Sequence, residues 1–249
     1  MKTSDKIILF STLTALGALG GVQLLQYAQL QAGNILTEKS LNREDFVSTH
    51  LPQPARLILE GPMRAFLFPS DSFHLDIDIN AVDALHYHQA GDSLVIEGDK
   101  RLKKSPHQGW FDYTGFPTIH IYTSSLRDIR VNNGFVVLQN GEGRPGINAT
   151  LDLDSTQLWV GAYDPEKDSA YRTEPYDSIT IRAVNSAVVL NRQAYVKALD
   201  LRLDDRSDIV DRYSRFDTAH IRGDKNTNIQ IRGSSFSKIR WEMPDHSTP

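Results

Sequence analysis

The chain contains no cysteine, and this absence removes several kinds of chemistry at once. Without cysteine in its 249 residues, the protein has no disulfide bonds, thiolate zinc sites, iron–sulfur clusters or cysteine nucleophile. A strong excess of either charge is also lacking, since 27 lysines and arginines accompany 31 acidic residues, for a net charge of −4. Nucleic-acid binders usually carry a clear basic excess, so we expect no nucleic acid among the partners.

Long apolar runs are lacking except near the amino terminus. Residues 7–28 contain no charged side chain, and a run of this length can span a bilayer as a helix. Lys2 and Lys6 precede the run, and no basic residue follows it before Lys39. Because basic residues favour the cytoplasmic side, we predict cytoplasmic residues 1–6, an inner-membrane anchor over 7–28 and a periplasmic remainder. Cleavage near residues 18–20, as in a signal peptide, stays open as an alternative.

Amphipathic helices are lacking after residue 50, where short stretches of alternating apolar and polar residues follow one another. These stretches are 56–60, 65–68, 74–79, 93–97 and 118–122. Alternation with period two is typical of half-buried β-strands, and turn residues such as Gly61-Pro62 separate the stretches. We predict a connector over 29–54, an all-β domain over 55–243 and a flexible tail over 244–249.

Apolar residues repeat at long intervals from about residue 126. The pattern apolar-x-x-apolar-x-apolar starts at Leu126, loosely at Asn148, and then at Tyr176, Val196, Phe216 and Phe236. The last four copies are twenty residues apart, as are Val189, Ile209 and Ile229, which mark a second strand in each unit. A fixed period of this kind is typical of a solenoid. We therefore predict a parallel β-helix with roughly 20-residue coils and an inserted loop over 164–175. An evenly spaced β-sandwich is the alternative.

Several stretches resemble a bacterial family known as "putative auto-transporter adhesin, head GIN domain". They include Gly-Asp-Ser-Leu-Val-Ile at 91–96 and Ser-Leu-Arg-Asp-Ile at 125–129, within a similarity that covers about residues 55–240. The insert at 99–117 departs from the family's simplest pattern. The resemblance implies a β-sheet followed by β-helical coils, a place in the cell envelope of Bacteroidetes, and adhesion. It implies no catalytic residues.

Arginine recurs every ten residues along the last third of the chain. The series is Arg172, Arg182, Arg192, Arg202, Arg212, Arg222 and Arg232. A twenty-residue coil would divide it into a ladder of Arg182, Arg202 and Arg222 and a second ladder of Arg192, Arg212 and Arg232, with Arg172 in the inserted loop. Two like charges about 5 Å apart in water repel by roughly 0.8 kcal/mol, so some negative group must compensate. Two hypotheses stay open: a network of surface ion pairs with nearby aspartates, or recognition of an anionic polysaccharide by the guanidinium groups.

Two further groups of residues are candidates for binding or chemistry. Asp200, His220 and Arg240 occupy equivalent positions in successive units, where a lyase or hydrolase built on such a scaffold carries its polar groups. Trp110 lies beside Phe111 in a segment rich in basic residues, a combination that can bind anionic sugars, lipid headgroups or a partner protein. The alternative for Trp110 is a long hairpin whose aromatic side chains fold back on the sheet.

Two other patterns are weaker. His86 and His88 share one side of a strand, as do Asp76 and Asp78, and the four would form a metal site only if their strands were neighbours. We expect a polar outer surface instead, with no metal and no cofactor. Residues 141–146 match G-x-G-x-x-G, but a strand pattern follows where a dinucleotide site needs a helix, so we predict a turn.

These features together predict a membrane-anchored protein of the cell envelope whose β-helical ectodomain binds, adheres or has a structural role. The predicted partners are the membrane, through residues 7–28, and an anionic polysaccharide or another envelope protein. A carbohydrate-active enzyme acting on acidic glycans is the alternative function. A third hypothesis is an assembly partner that works through exposed ends of the solenoid.

Overall fold

The computed structural model describes residues 46–102, 115–139, 144, 146–161, 174–192, 194–232 and 237–242. All of these belong to one compact unit, Phe46–Pro249. They are mostly β-strand, with a short 3₁₀ helix at Ile79–Ala84, so the all-β prediction is confirmed. The predicted anchor, most of the predicted inserted loop with Arg172, and the predicted tail lie outside the described residues. Within the described ranges, no helix is long and apolar enough to cross a membrane.

Eighteen strands are present among the described residues. They are β1 Phe46–His50, β2 Arg56–Glu60, β3 Arg64–Pro69, β4 His74–Asp78, β5 Leu85–Ala90, β6 Ser93–Gly98, β7 Thr118–Thr123, β8 Asp128–Asn132, β9 Phe135–Leu138, β10 Ala149–Asp154, β11 Gln157–Val160, β12 Tyr176–Val184, β13 Ala187–Leu190, β14 Tyr195–Asp204, β15 Asp208–Asp211, β16 Arg215–Gly223, β17 Asn228–Gln230 and β18 Ile239–Glu242.

The strands form two sheets of nine strands each. The first sheet has the order β1-β4-β7-β3-β9-β11-β13-β15-β17, and the second has the order β18-β16-β14-β12-β10-β8-β2-β6-β5. Most neighbours are parallel, because from β8 onward the chain alternates between the two sheets, but β1–β4, β4–β7 and β5–β6 are antiparallel. Strand β1 falls within residues 29–54, the predicted connector, and extends the first sheet.

The twenty-residue repeat is visible in the pairing of parallel strands. Ile181 pairs with Leu201, which pairs with Ile221, and all three are fully buried. The predicted alignment of the earlier, looser copy is wrong by two residues, because Leu151 pairs with Ile181 and not with Ile179. A shift of two residues keeps the same side chains facing inward, so the apolar pattern alone does not reveal it.

The second strand of each unit shows a shift of one residue. Val188, and not Val189 as predicted, pairs with Ile209. The turn before β15 is one residue longer than the turn before β13, and both Asp205 and Arg206 have positive φ (47° and 60°), whereas the shorter turn has Asn185 alone (48°). Val188 therefore faces the core and Val189 faces away from it.

One apolar core fills the space between the two sheets. Leu67 and Ile121 of the first sheet and Leu59 and Leu151 of the second contribute fully buried side chains to it. A smaller cluster of Phe66, Phe135 and Val137, with Phe68 and Trp159 against it, lies on the other side of the first sheet. The first sheet is thus apolar on both of its sides along β3, β9 and β11.

Buried hydroxyl groups hold the turns between the sheets. Thr156, Ser186 and Ser207 each donate a hydrogen bond to the carbonyl oxygen two or three residues earlier, at 2.6–2.8 Å. The Ser186 hydroxyl also accepts from the Thr156 amide, and the Ser207 hydroxyl accepts from the Ser186 amide. Because buried polar groups need hydrogen-bond partners, this series links successive turns along the protein.

Candidate functional site

The outward side of the second sheet carries charged side chains in register. Successive side chains of a strand point to opposite sides, so the residues between the buried positions of β8 to β18 all face solvent. We call this surface the charged face. Its central row, the arginine row, contains Arg130, Asp152, Arg182, Arg202, Arg222 and Glu242.

Each of the three predicted arginines of this row has a carboxylate within ion-pair distance. Arg182 Nη1 lies 3.7 Å from Asp152 Oδ1, and Arg222 Nε lies 3.1 Å from Glu242 Oε2, both along the row. Arg202 Nε lies 2.8 Å from Asp204 Oδ2 on the same strand. The arginine side chains remain 51–62% exposed, and each guanidinium has five N–H donors. The carboxylates therefore reduce the mutual repulsion while most donors still face water.

A second row runs beside the first and contains the predicted polar group of Asp200, His220 and Arg240. Asp200 pairs in register with His220, and His220 with Arg240, so these three residues lie side by side as predicted. His220 Nδ1 lies 3.7 Å from Asp200 Oδ1, and its Nε2 lies 3.0 Å from Glu242 Oε1. His220 is the least exposed of them, at 24%, and it connects the second row to the arginine row.

A shallow groove of about 480 Å³ follows the second row. Its polar lining residues are Ser178, Thr180, Asp200, Thr218, His220, Lys238 and Arg240, so two basic residues outnumber one carboxylate. Hydroxyl groups beside cationic groups are suited to a hydroxylated, negatively charged ligand, and the volume is within the usual range for ligand sites. The groove thus adds hydrogen-bonding groups to the charge of the arginine row.

A lysine–aspartate pair braces the strands at the end of this groove. Lys197 Nζ on β14 lies 2.6 Å from Asp177 Oδ1 on β12. This hydrogen bond is the main cause that lowers the pKa of Asp177 and raises the pKa of Lys197 from their ordinary values. Both groups are therefore charged at neutral pH and compensate each other.

The second predicted set of arginines lies elsewhere. Arg192, Arg212 and Arg232 follow strands of the first sheet, in the turns that lead back to the second sheet. Leu190 pairs with Asp211, so Arg192 is one residue out of register with Arg212, and the predicted ladder of three is wrong at this position. The Arg212 guanidinium lies over the Trp159 ring, 5.1 Å from its centre.

The remaining candidates do not join this face. Trp110 lies outside the described residues. His86 and His88 are on β5 of the second sheet, whereas Asp76 and Asp78 are on β4 of the first sheet, so these two pairs do not converge on a metal. Residues 146–148 lead directly into strand β10, where a dinucleotide site would need a helix.

Several residues of the charged face were missed in the sequence analysis. Arg130, Asp152 and Glu242 extend the arginine row at both ends, and Lys238 lines the groove. Arg130 lies 22 residues before Asp152, and Asp152 lies 30 residues before Arg182. Both intervals exceed twenty residues, because the connections between β8, β10 and β12 are longer than those between the later strands. Glu242 keeps the twenty-residue spacing from Arg222, but it carries the opposite charge and so is not part of the arginine repeat.

Comparisons with known proteins give structural similarity at low identity. No protein-family model matches the chain, and no curated protein sequence matches it. A "putative adhesin" from Parabacteroides merdae is 10% identical, with a TM-score of 0.47, over 81% of this chain and 76% of that one. A "putative adhesin" from Bacteroides fragilis is 12% identical, with a TM-score of 0.45, over 82% and 91%. A "putative lipid binding protein" from Parabacteroides distasonis is 11% identical, with a TM-score of 0.42, over 76% and 82%.

Proposed function

We propose that this chain is a non-catalytic binding protein of the bacterial cell envelope, which recognises an anionic polysaccharide through its charged face. In this proposal the parallel strands form a β-helix, and residues 7–28 anchor it in the inner membrane with the ectodomain in the periplasm. The register of the strands from β8 to β18 supports the β-helix. The apolar, uncharged character of residues 7–28 supports the anchor.

The observation that carries the proposal is the register of Arg182, Arg202 and Arg222 on three adjacent parallel strands. Neighbouring strands lie about 4.8 Å apart, so the row offers a series of evenly spaced cations to a linear polyanion. Guanidinium groups bind carboxylates and sulfates through paired N–H donors. The ion pairs described above use a minority of those donors, which leaves the others available to a ligand.

Heparin affinity chromatography of the full-length chain tests this function. The unchanged protein should bind at low salt and elute as the salt concentration rises, since salt screens exposed charges. Arg202→Glu and Arg222→Glu should each elute at lower salt. Arg101→Glu is the matched control, because it makes the same change of charge at an exposed arginine that pairs with Asp99 and follows β6, outside strands β8 to β18.

Two results would contradict the proposal. One is the absence of binding at low salt. The other is an equal effect of Arg101→Glu and Arg202→Glu, because heparin binding would then not be specific to the charged face. A carbohydrate-active enzyme remains the second candidate, since Asp200 and His220 lie together at the groove. Turnover of acidic glycans that is lost in His220→Gln would favour that enzyme over a binding protein.

The anchor has its own test. Residues 7–28 should hold the full-length chain in the membrane fraction after extraction at alkaline pH, and deletion of residues 1–28 should release it. Recovery of the full-length chain in the soluble fraction would contradict anchoring without affecting the heparin experiment.

A further inference from the structure

A polar pocket of about 380 Å³ lies apart from the charged face, at the carboxyl ends of β3 and β7. Its lining includes Ser70, Thr123, Ser124, Ser125, Arg127 and Arg144. We call it the serine pocket. Its floor is apolar, since Leu126 and Ile147 are buried there. Sites for small ligands commonly have this volume and combine an apolar floor with a few polar groups.

The hydroxyl groups of the pocket are held in place by one glutamine. Gln53 Nε2 donates to Thr123 Oγ1 at 3.0 Å, and Ser124 Oγ donates to Gln53 Oε1 at 3.3 Å. The Ser124 amide also points to Gln53 Oε1, at 3.4 Å. This brace fixes the loop that follows β7. The adjacent Ser125 is exposed at the pocket and has no hydrogen-bond partner for its side chain among the described residues.

The charges of the pocket leave one cation uncompensated. Arg144 Nη2 lies 2.7 Å from Asp71 Oδ2, so these two charges neutralise each other. Arg127 is exposed and has no ion-pair partner within the part of the chain that the structure describes. The lining therefore carries one net positive charge together with several hydroxyl groups, and both are suited to a single anionic group on a polyhydroxylated molecule.

We infer that the serine pocket binds an anionic monosaccharide, whose carboxylate or phosphate group contacts Arg127 and whose hydroxyl groups contact Ser124 and Ser125. The apolar floor formed by Leu126 and Ile147 takes the less polar side of the sugar ring. This site is independent of the polysaccharide-binding function proposed for the charged face, since the two surfaces share no lining residue.

Ligand-observed NMR with the full-length chain tests the inference. A detergent without a sugar headgroup keeps the apolar segment soluble and avoids competition. The probes are glucuronate, glucose 6-phosphate, glucose and inorganic phosphate. Glucuronate or glucose 6-phosphate should show saturable binding, and which of the two binds more tightly identifies the anionic group. Glucose and phosphate should each bind more weakly, because each lacks one half of the recognised chemistry.

Variants locate the ligand and give the sign of the electrostatic effect. Arg127→Gln should weaken binding roughly tenfold, as expected for the loss of one charge-assisted hydrogen bond. Asp71→Asn should strengthen it roughly threefold, because it removes a negative charge from the lining. Arg202→Glu, on the charged face, should leave this binding unchanged while it weakens heparin binding.

Three outcomes would overturn the inference. These are the absence of saturable binding of both anionic sugars, equal affinity for glucose and glucuronate, and affinity that Arg127→Gln does not alter. Because Arg127 is exposed, its replacement should not affect folding, and circular dichroism of the variant checks this. If only the heparin experiment failed, the proposed function would be contradicted and the inference about the serine pocket would stand.

Discussion

The two sheets share one core but differ on the sides that face away from it. The second sheet presents the arginine row, whose side chains are half exposed and paired with carboxylates. The first sheet presents Phe66, Phe135 and Val137, which are buried. The rings of Phe66 and Phe135 are in edge contact, with centres 6.3 Å apart, and that of Phe135 meets Trp159 at 5.9 Å.

This difference predicts separate roles for the two surfaces: the outer side of the first sheet stabilises the fold, and the charged face binds a ligand. Burial of large apolar side chains contributes strongly to folding, whereas exposed ion pairs contribute little. The outer side of the first sheet should therefore tolerate few substitutions. The charged face should tolerate many, and its residues should act on a ligand instead. Substitutions that change one outer surface at a time therefore distinguish effects on stability from effects on binding.

The largest effect is expected from a charge placed on the buried outer side of the first sheet. Val137 is fully buried on that side, so Val137→Asp should lower the free energy of unfolding by about 4 kcal/mol, the cost of an unpaired buried charge. Thr180→Asp makes a similar change at a half-exposed, outward position of the second sheet and should cost less than about 1 kcal/mol. Urea unfolding followed by circular dichroism measures both. Equal losses would contradict the separation.

A large effect is also expected where the two sheets are joined. A Cβ atom added at Gly146 would lie 2.2 Å from the ring of Tyr176, which is fully buried. Gly146→Ala should therefore destabilise the protein by about 3 kcal/mol through overpacking. Gly91→Ala is the control, because no other heavy atom lies within 4 Å of the added carbon, and its positive φ should cost only about 1 kcal/mol. A harmless Gly146→Ala would show that Tyr176 can move, in conflict with the packing described above.

Removal of the Tyr176 hydroxyl group should cause a smaller loss of stability. Its hydroxyl, on β12 of the second sheet, donates to the carbonyl oxygen of Leu138 on β9 of the first sheet at 2.9 Å. Burial raises the pKa of this phenol far above its ordinary value, so the group stays a donor throughout the usual pH range. Tyr176→Phe should lower the free energy of unfolding by about 1 kcal/mol and leave heparin binding unchanged. An altered elution from heparin would indicate that the charged face depends on this link between the sheets.

The sequence predicts the second sheet better than the first, and the reason is physical. Strands β12, β14 and β16 alternate buried and exposed residues, so their pattern reports both sides of the sheet. Strands β9 and β13 are buried at all four positions, so they show no alternation. Only the twenty-residue spacing locates β13, and that spacing failed by one residue where the turn at Asp205 and Arg206 became longer.

The candidate site was predicted in part, for a related reason. The register of Arg182, Arg202, Arg222, Asp200 and His220 follows directly from a constant period. Arg130 and Asp152 were missed because the longer connections before β10 and β12 break that period. The serine pocket was not predicted at all, since Gln53 and Ser124 are 71 residues apart and meet only in the folded chain, where Gln53 precedes β2 and Ser124 follows β7.

Acidification should lower the stability of the protein through His120, which lies on the outer side of the first sheet. Burial is the main cause that lowers the pKa of this imidazole from 6.5, and Arg64 lowers it further, while Asp76 and Asp78 oppose the shift. Because the unfolded state then binds more protons, stability from this group is fully present above about pH 6.5 and is lost as the pH falls toward the folded pKa. His120→Gln should flatten this decline between pH 7 and pH 5, in unfolding experiments at each pH. If stability declined equally in His120→Gln, the decline would be caused by other titratable groups.

The smallest effect on stability is expected at the arginine row. The Arg202–Asp204 pair is exposed, so Arg202→Gln should change the free energy of unfolding by less than about 1 kcal/mol, even though it removes a charge from the centre of the proposed binding surface. The same variant should elute earlier from heparin than the unchanged chain. A loss of stability as large as that of Tyr176→Phe, with unchanged heparin binding, would mean that the arginines act within the ion-pair network and not on a ligand. The two outer surfaces would then both serve the fold.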